Sequence, residues 1–153
     1  MAASSIREQI LARVAVVIAT VSAIGAVKRK VVSSIDELKA TPFPLFPIVY
    51  MTGGLPVPLR GGHVKLRESG DSAGLRSVLS INLRVYGLDK ESPDTAISTL
   101  AEDIWAKLYD DPTVNSLAEG VTVKLQRNTL FFEPFYRFDI IYDVEYIHDT
   151  DNL

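Results

Sequence analysis

Hydrophobic and polar positions alternate most regularly near the end of the chain. Tyr136, Phe138, Ile140, Tyr142, Val144 and Tyr146 share one parity, while Arg137, Asp139, Asp143 and Glu145 share the other. Successive side chains of a strand point to opposite faces, so residues 136–146 predict a strand with one apolar and one largely acidic face. Residues 75–86 repeat the device with the opposite charge: Leu75, Leu79, Ile81, Leu83 and Val85 lie on one face, and Arg76, Ser80, Asn82 and Arg84 on the other. Shorter runs predict strands at 27–32, 48–52, 63–68 and 121–125.

Two stretches change period. Ile6, Ile10, Val14, Val17, Val21 and Ile24 recur at spacings of three and four, with Ala12, Ala15, Ala19, Ser22 and Ala23 on much of the remaining surface. They predict a helix capped by Ser4 or Ser5, running to about residue 23 and stopped by Gly25. Ser92-Pro93-Asp94 opens a second helix, with a capping hydroxyl, proline at the first helical position and a carboxylate in the first turn. Its apolar stripe is Ile97, Leu100, Ala101, Ile104 and Leu108; Asp103 and Lys107 form an i,i+4 pair, and Asp111-Pro112 ends it near Asp110. Residues 35–39 suit one helical turn. Pro42, Pro44 and Pro47 make 41–47 an extended connector. Glycine pairs at 53–54 and 61–62 bracket a long loop, residues 69–74 form a turn, Glu133-Pro134 makes another, and residues 145–153 read as a flexible tail. The order α-β-β-β-β-α-β-β predicts a single α+β domain over 1–153, a mostly antiparallel β-sheet with two principal helices packed on one face.

Composition narrows the chemistry. A chain of 153 residues has the length of one domain, and 47% hydrophobic with 23% charged residues is ordinary for a globular fold. The absence of cysteine excludes a disulfide framework, a Cys-type zinc site, thiol catalysis and an iron–sulfur cluster. The apolar run at 14–27 is 14 residues, short of the roughly 18–20 that cross a bilayer. Arg7, Glu8 and Arg13 and the helical period mark it as a soluble helix rather than a cleaved leader, and no membrane is expected as a partner. The net charge of −3 hides a division: residues 1–90 hold 12 Lys+Arg against 6 Asp+Glu, and residues 91–153 hold 4 against 13. Opposite charge on two parts of one domain can pair internally, or draw copies together head to tail. The one dense basic cluster is Lys28-Arg29-Lys30.

Candidate catalytic groups are sparse. There is no GxxxxGK, no GxGxxG and no GxSxG elbow. His63 stands without a fixed partner, and Asp110-Asp111 lies at a helix C-terminus, where the dipole disfavours a carboxylate pair. His148, Asp149 and Asp151 are close enough in sequence to share a metal, but fall in the expected tail. Trp105 and the tyrosines of the last strand could stack bases, and their spacings read more simply as core. No cofactor and no metal is expected.

The run Leu83-Arg-Val-Tyr-Gly-Leu-Asp89, the capped helix from Ser92 to Leu108, and Asp111-Pro-Thr-Val-Asn-Ser-Leu117 resemble the tail terminator (tail completion) proteins of long-tailed bacteriophages. So do the strand at 121–125 and the closing strand Phe138-Asp-Ile-Ile-Tyr-Asp-Val-Glu-Tyr146. The resemblance implies a tail-terminator-like fold and a non-enzymatic virion protein at the head-proximal end of the tail. Its copies would form a ring, usually a hexamer, that caps the tail tube, stops its polymerisation and docks the neck or connector, with genomic DNA passing through the lumen unrecognised. A ring needs two different patches to meet, so Lys28, Arg29, Lys30, Arg76 and Arg84 are candidate interface residues against Asp139, Asp143 and Glu145 or the acidic helix of a neighbour. Gly53, Gly54, Arg60, Gly61 and Gly62, with Gly70 and Asp71, are candidate loop contacts to tube or neck. A head-completion or neck protein of the same virion, and a small nucleic-acid- or ligand-binding α+β domain, are the alternative readings.

Overall fold

The computed structural model describes residues 5–32, 34–65, 73–89, 91–114, 117–132 and 134–149. Chain order is α1 (Ile6–Ala19), β1 (Ala26–Lys28), α2 (Ile35–Ala40), a 3-10 turn at Phe43–Leu45, β2 (Ile48–Gly53), β3 (Val57–Lys65), β4 (Ala73–Leu88), α3 (Pro93–Tyr109), β5 (Gly120–Phe132) and β6 (Phe135–Asp149). The six strands form one sheet in the order β1-β2-β4-β6-β5, with β3 also paired to β4. Only β1 with β2 is parallel; the remaining pairs are antiparallel. The α+β class and mostly antiparallel sheet therefore stand as expected.

The period-2 strands build the centre. β4 and β6 pair without interruption over fifteen residues, from Gly74↔Asp149 to Leu88↔Phe135. Leu79, Ile81, Leu83 and Val85 of β4 and Phe138, Ile140, Tyr142 and Val144 of β6 are buried on one face, under Ile10, Leu11, Val14 and Ile18 of α1 and Leu100, Ile104 and Leu108 of α3. Burying a Leu, Ile or Phe side chain contributes roughly 1.5–3 kcal/mol each, so this layer dominates the stability. A smaller cluster, Leu38, Ile48, Tyr50, Tyr86 and Phe135, covers one end of the opposite face beneath α2. The two-helix expectation did not include it.

Local chemistry sets the helix ends. The Ser5 hydroxyl accepts from the Glu8 N–H at 3.2 Å, as a capping serine should. α1 stops at Ala19 rather than 23, because the Thr20 hydroxyl donates to the Val17 carbonyl at 2.6 Å and two tight turns follow; Val21 and Ile24 stay buried outside the helix. At α3 the Ser92 side chain makes no capping bond. The Asp89 carboxylate instead accepts from the N–H groups of Glu91 and Ser92, both at 2.9 Å.

Several expectations need correction. The long loop at 53–62 is mostly strand: Val57↔Val78 and His63↔Leu75 both pair with β4, and the glycine pair is absorbed in a register shift between Pro58 and His63, where Gly61 takes φ 71°. The basic strand is Ala26–Lys28 rather than 27–32. The tail is not frayed through Asp149: β6 continues to that residue, and the buried His148 Nε2 lies 2.8 Å from the buried Ser77 Oγ. Trp105 is not core but 48% exposed. The turn at 69–72, with Gly70 and Asp71, and residues Asn115, Ser116 and Asp151 lie outside the described residues.

Candidate assembly surfaces

The sheet face opposite α1 and α3 carries the charges that sequence set apart by parity. Strand register puts Arg84 opposite Asp139, Ser80 opposite Asp143 and Val78 opposite Glu145. Arg84 donates to both Asp139 oxygens, at 2.8 and 3.1 Å; this pairing holds the guanidinium above its ordinary pKa, with burial opposing. The Asp139 side chain is only 2% exposed. Asp143 accepts from Ser80 at 2.6 Å and pairs with Lys124 at 3.0 Å. Arg76 donates to both oxygens of Glu119 and lies 3.4 Å from Glu145. Seven of the eight expected interface residues engage partners inside their own subunit, five through these pairs and two near β1. Arg29 bonds Glu8 at 3.0 Å, Lys30 pairs with Glu37, and Lys28 has no ion pair among the described residues.

The other expected contact residues separate. Gly53 and Gly54 sit where Arg7 of α1 donates to both their carbonyls, at 2.9 and 3.0 Å, so they anchor the helix to the sheet. Arg60 and Gly61 are exposed in β3, near the exposed Leu55 and Val57.

Sequence reasoning missed an aromatic flank. α3 turns Leu100, Ile104 and Leu108 to the core, which leaves Trp105 and Tyr109 exposed, their rings edge to face at 5.5 Å. Their i,i+4 spacing, displaced by one residue from the buried stripe, was the available signal. The Tyr109 hydroxyl accepts from the Val123 N–H of β5 at 3.2 Å. Farther along β5, Phe131 pairs with Tyr136 on the helix-covered face and is half exposed. No strand among the described residues pairs with the outer edge of β5 or of β1.

Two hollows were candidates for a ligand. One of about 140 Å³ is lined by Lys30, Tyr50, Asn82 and Arg84, but both cations already hold carboxylates. A cleft of about 330 Å³ between the first half of α3 and residues 23 and 47 presents Asp89, Ser92, Thr95, Thr99, Asp103 and Tyr136. No three His, Asp or Glu side chains converge on a metal position among the described residues. Among those residues no helix is long and apolar enough to cross a membrane.

No protein-family model matches the chain, and no curated protein matches it. Among solved structures it is similar to a chain of the virion of a native gene transfer agent particle, at 14% identity and a TM-score of 0.35, covering 94% of this chain and 92% of that one. A likeness of that size carries no argument about role.

Proposed function

We propose that this protein is a structural component of a phage-like virion, a ring-forming tail terminator that caps the head-proximal end of the tail tube, halts its growth and presents the docking surface for the neck. The observation that supports this reading is one sheet whose outer strands are unlike and, among the described residues, unpaired on their outer edges, β5 with the exposed Phe131 and β1 with Lys28, on a chain whose element order follows the terminator resemblance. Unlike edges favour a heterologous contact, and such contacts close into rings when the rotation permits. The tail tube and the neck are the partners on the ring's two sides; DNA passes through the lumen without specific contacts, and no reaction is catalysed.

Negative-stain microscopy of the purified protein mixed with tail tubes tests this. Rings seated on one end of the tubes are expected. Rings that ignore tube ends and bind the portal side would transfer the protein to the neck.

A further inference from the structure

Ser92, Thr95, Thr99 and Asp103 follow one another at steps of three and four, so they form a single row along α3, and all four are exposed. The row borders the cleft of about 330 Å³, with Asp89 ahead of its first residue and Asp103 at its last. From the Ser92 cap to Asp103 the helix rises roughly 16 Å, at 1.5 Å per residue. Ala23, Pro47, Ala96 and Leu100 supply the apolar lining. The cleft is thus an elongate groove, acidic at both ends, with hydroxyls and apolar surface between.

Little of this polarity is spent within the subunit. The Ser92 side chain makes no capping bond, and the Thr95 and Thr99 side chains make no hydrogen bond among the described residues. Asp89 commits Oδ1 to the N–H groups of Glu91 and Ser92, while its Oδ2 accepts none among the described residues. Asp103 does not make the expected pair with Lys107, which lines a different hollow with Arg13, Asp110 and Asp111. No described Lys or Arg lines the cleft. Its wall at the Asp89 end is Tyr136, whose ring crosses Gly87, where the lack of a side chain admits it. Tyr136 is only 3% exposed, and its hydroxyl faces the cleft without a hydrogen bond among the described residues. A buried hydroxyl left without a partner is costly, and an occupant of the cleft would relieve it.

The complement to such a groove is an elongate cation. An ammonium group carries donors and no acceptor, binds carboxylates through charge-assisted hydrogen bonds, and brings methylenes that suit the apolar lining. A single lysine side chain would meet one acidic end and leave the other alone. We infer that this cleft binds a linear aliphatic polyamine lengthwise, one terminal ammonium held by Asp89 and the Tyr136 hydroxyl and the other by Asp103, with Ser92, Thr95 and Thr99 accepting from the amines between. The assignment does not depend on the ring reading above.

Isothermal titration calorimetry of the full chain with spermine tests it, at low ionic strength, where exposed charges are least screened. One saturable site per chain is expected. The shorter 1,4-diaminobutane and the monocation N-acetyl-lysine amide, which cannot join the two ends, should bind at least about tenfold more weakly. Asp89→Asn keeps a capping oxygen and Asp103→Asn alters an exposed side chain, so both variants should fold, which far-UV circular dichroism checks. Each should weaken spermine binding at least about threefold, and Tyr136→Phe should weaken it as well. Glu102→Gln, on α3 but outside the cleft lining, should leave it unchanged. Absence of saturable binding overturns the assignment. Equal weakening by Glu102→Gln does so too, because it marks diffuse attraction to an acidic helix. A lysine amide that binds as tightly as spermine also overturns it, by marking a site for one basic side chain of a partner.

Discussion

Substituting Gly87 by alanine probes how the centre of the sheet is packed. Gly87 of β4 faces Tyr136 of β6 in register, and the ring lies over the glycine. A Cβ there would stand 2.1 Å from Tyr136 Cζ, 2.2 Å from its hydroxyl oxygen and 2.5 Å from Cε1. Glycine within a strand ordinarily costs roughly 0.5–1 kcal/mol relative to alanine, so an unobstructed site would gain stability from the change. Here the ring must move, and Tyr136 is 3% exposed. Accommodation by small shifts costs about 1–3 kcal/mol. Complete expulsion of the ring, at 150–250 Å² and ~25 cal/mol per Å², sets an upper bound of roughly 4–6 kcal/mol. We expect Gly87→Ala to be destabilised by about 2 kcal/mol in urea unfolding followed by circular dichroism, at one fixed protein concentration because assembly contributes to apparent stability. Tyr136→Leu removes the obstructing atoms, so adding Gly87→Ala to it should cost little, and the two changes should couple by at least about 1 kcal/mol. A Gly87→Ala midpoint at or above wild type would refute the packing argument.

Other expectations follow from burial and charge. Arg84→Ala leaves the buried Asp139 carboxylate without its cation and should cost about 3 kcal/mol, whereas Arg76→Ala breaks exposed pairs and should leave the unfolding midpoint near that of wild type; equal effects would contradict the difference in burial. Ending the chain after Tyr146 removes the β6 residues paired with Gly74, Leu75 and Arg76 and takes His148 from Ser77, so the melting temperature should fall, by about 2–4 °C for each kcal/mol lost; an unchanged melt would restore the frayed-tail reading. Tyr50, Tyr136, Tyr142 and Tyr146 are all held above the ordinary phenol pKa of 10.0, chiefly by burial. The unfolded chain therefore loses phenol protons first, and stability that is complete below pH 10 should decline as pH rises beyond it. Urea midpoints between pH 8 and 11.5 check this, and Tyr142→Phe should flatten the decline.

The legible parts of the fold were those that local pattern determines. Leu79 to Val85 and Phe138 to Tyr146 declared their faces by alternation, and Ile97 to Leu108 declared a stripe. Pairing was less legible, because β4 and β6 are brought together only after α3 and β5 intervene. Nothing near Arg84 in the chain names Asp139 as its partner, so the charge division read as a code between subunits while much of it joins neighbouring strands. Gly61 and Gly62 disguised β3, since a bulge keeps the pairing but breaks the period. His148 was assigned to a tail because its polar neighbours conceal that Ser77 awaits it across the sheet. Of the candidate assembly surfaces, Lys28 to Lys30 were visible in sequence; Trp105 was misread because an aromatic residue beside a core stripe resembles core until the stripe's width is known, and Tyr109 was not singled out.

The uninterrupted register of β4 and β6 bears on how this protein can change over time. One residue inserted into or removed from either strand would reverse the faces of every pair beyond it, sending Arg84 or Asp139 toward the helices and core leucines toward water. Length variation among descendants of this chain is thereby confined to the joints between strands and helices. Within the two central strands, divergence must proceed by substitution alone.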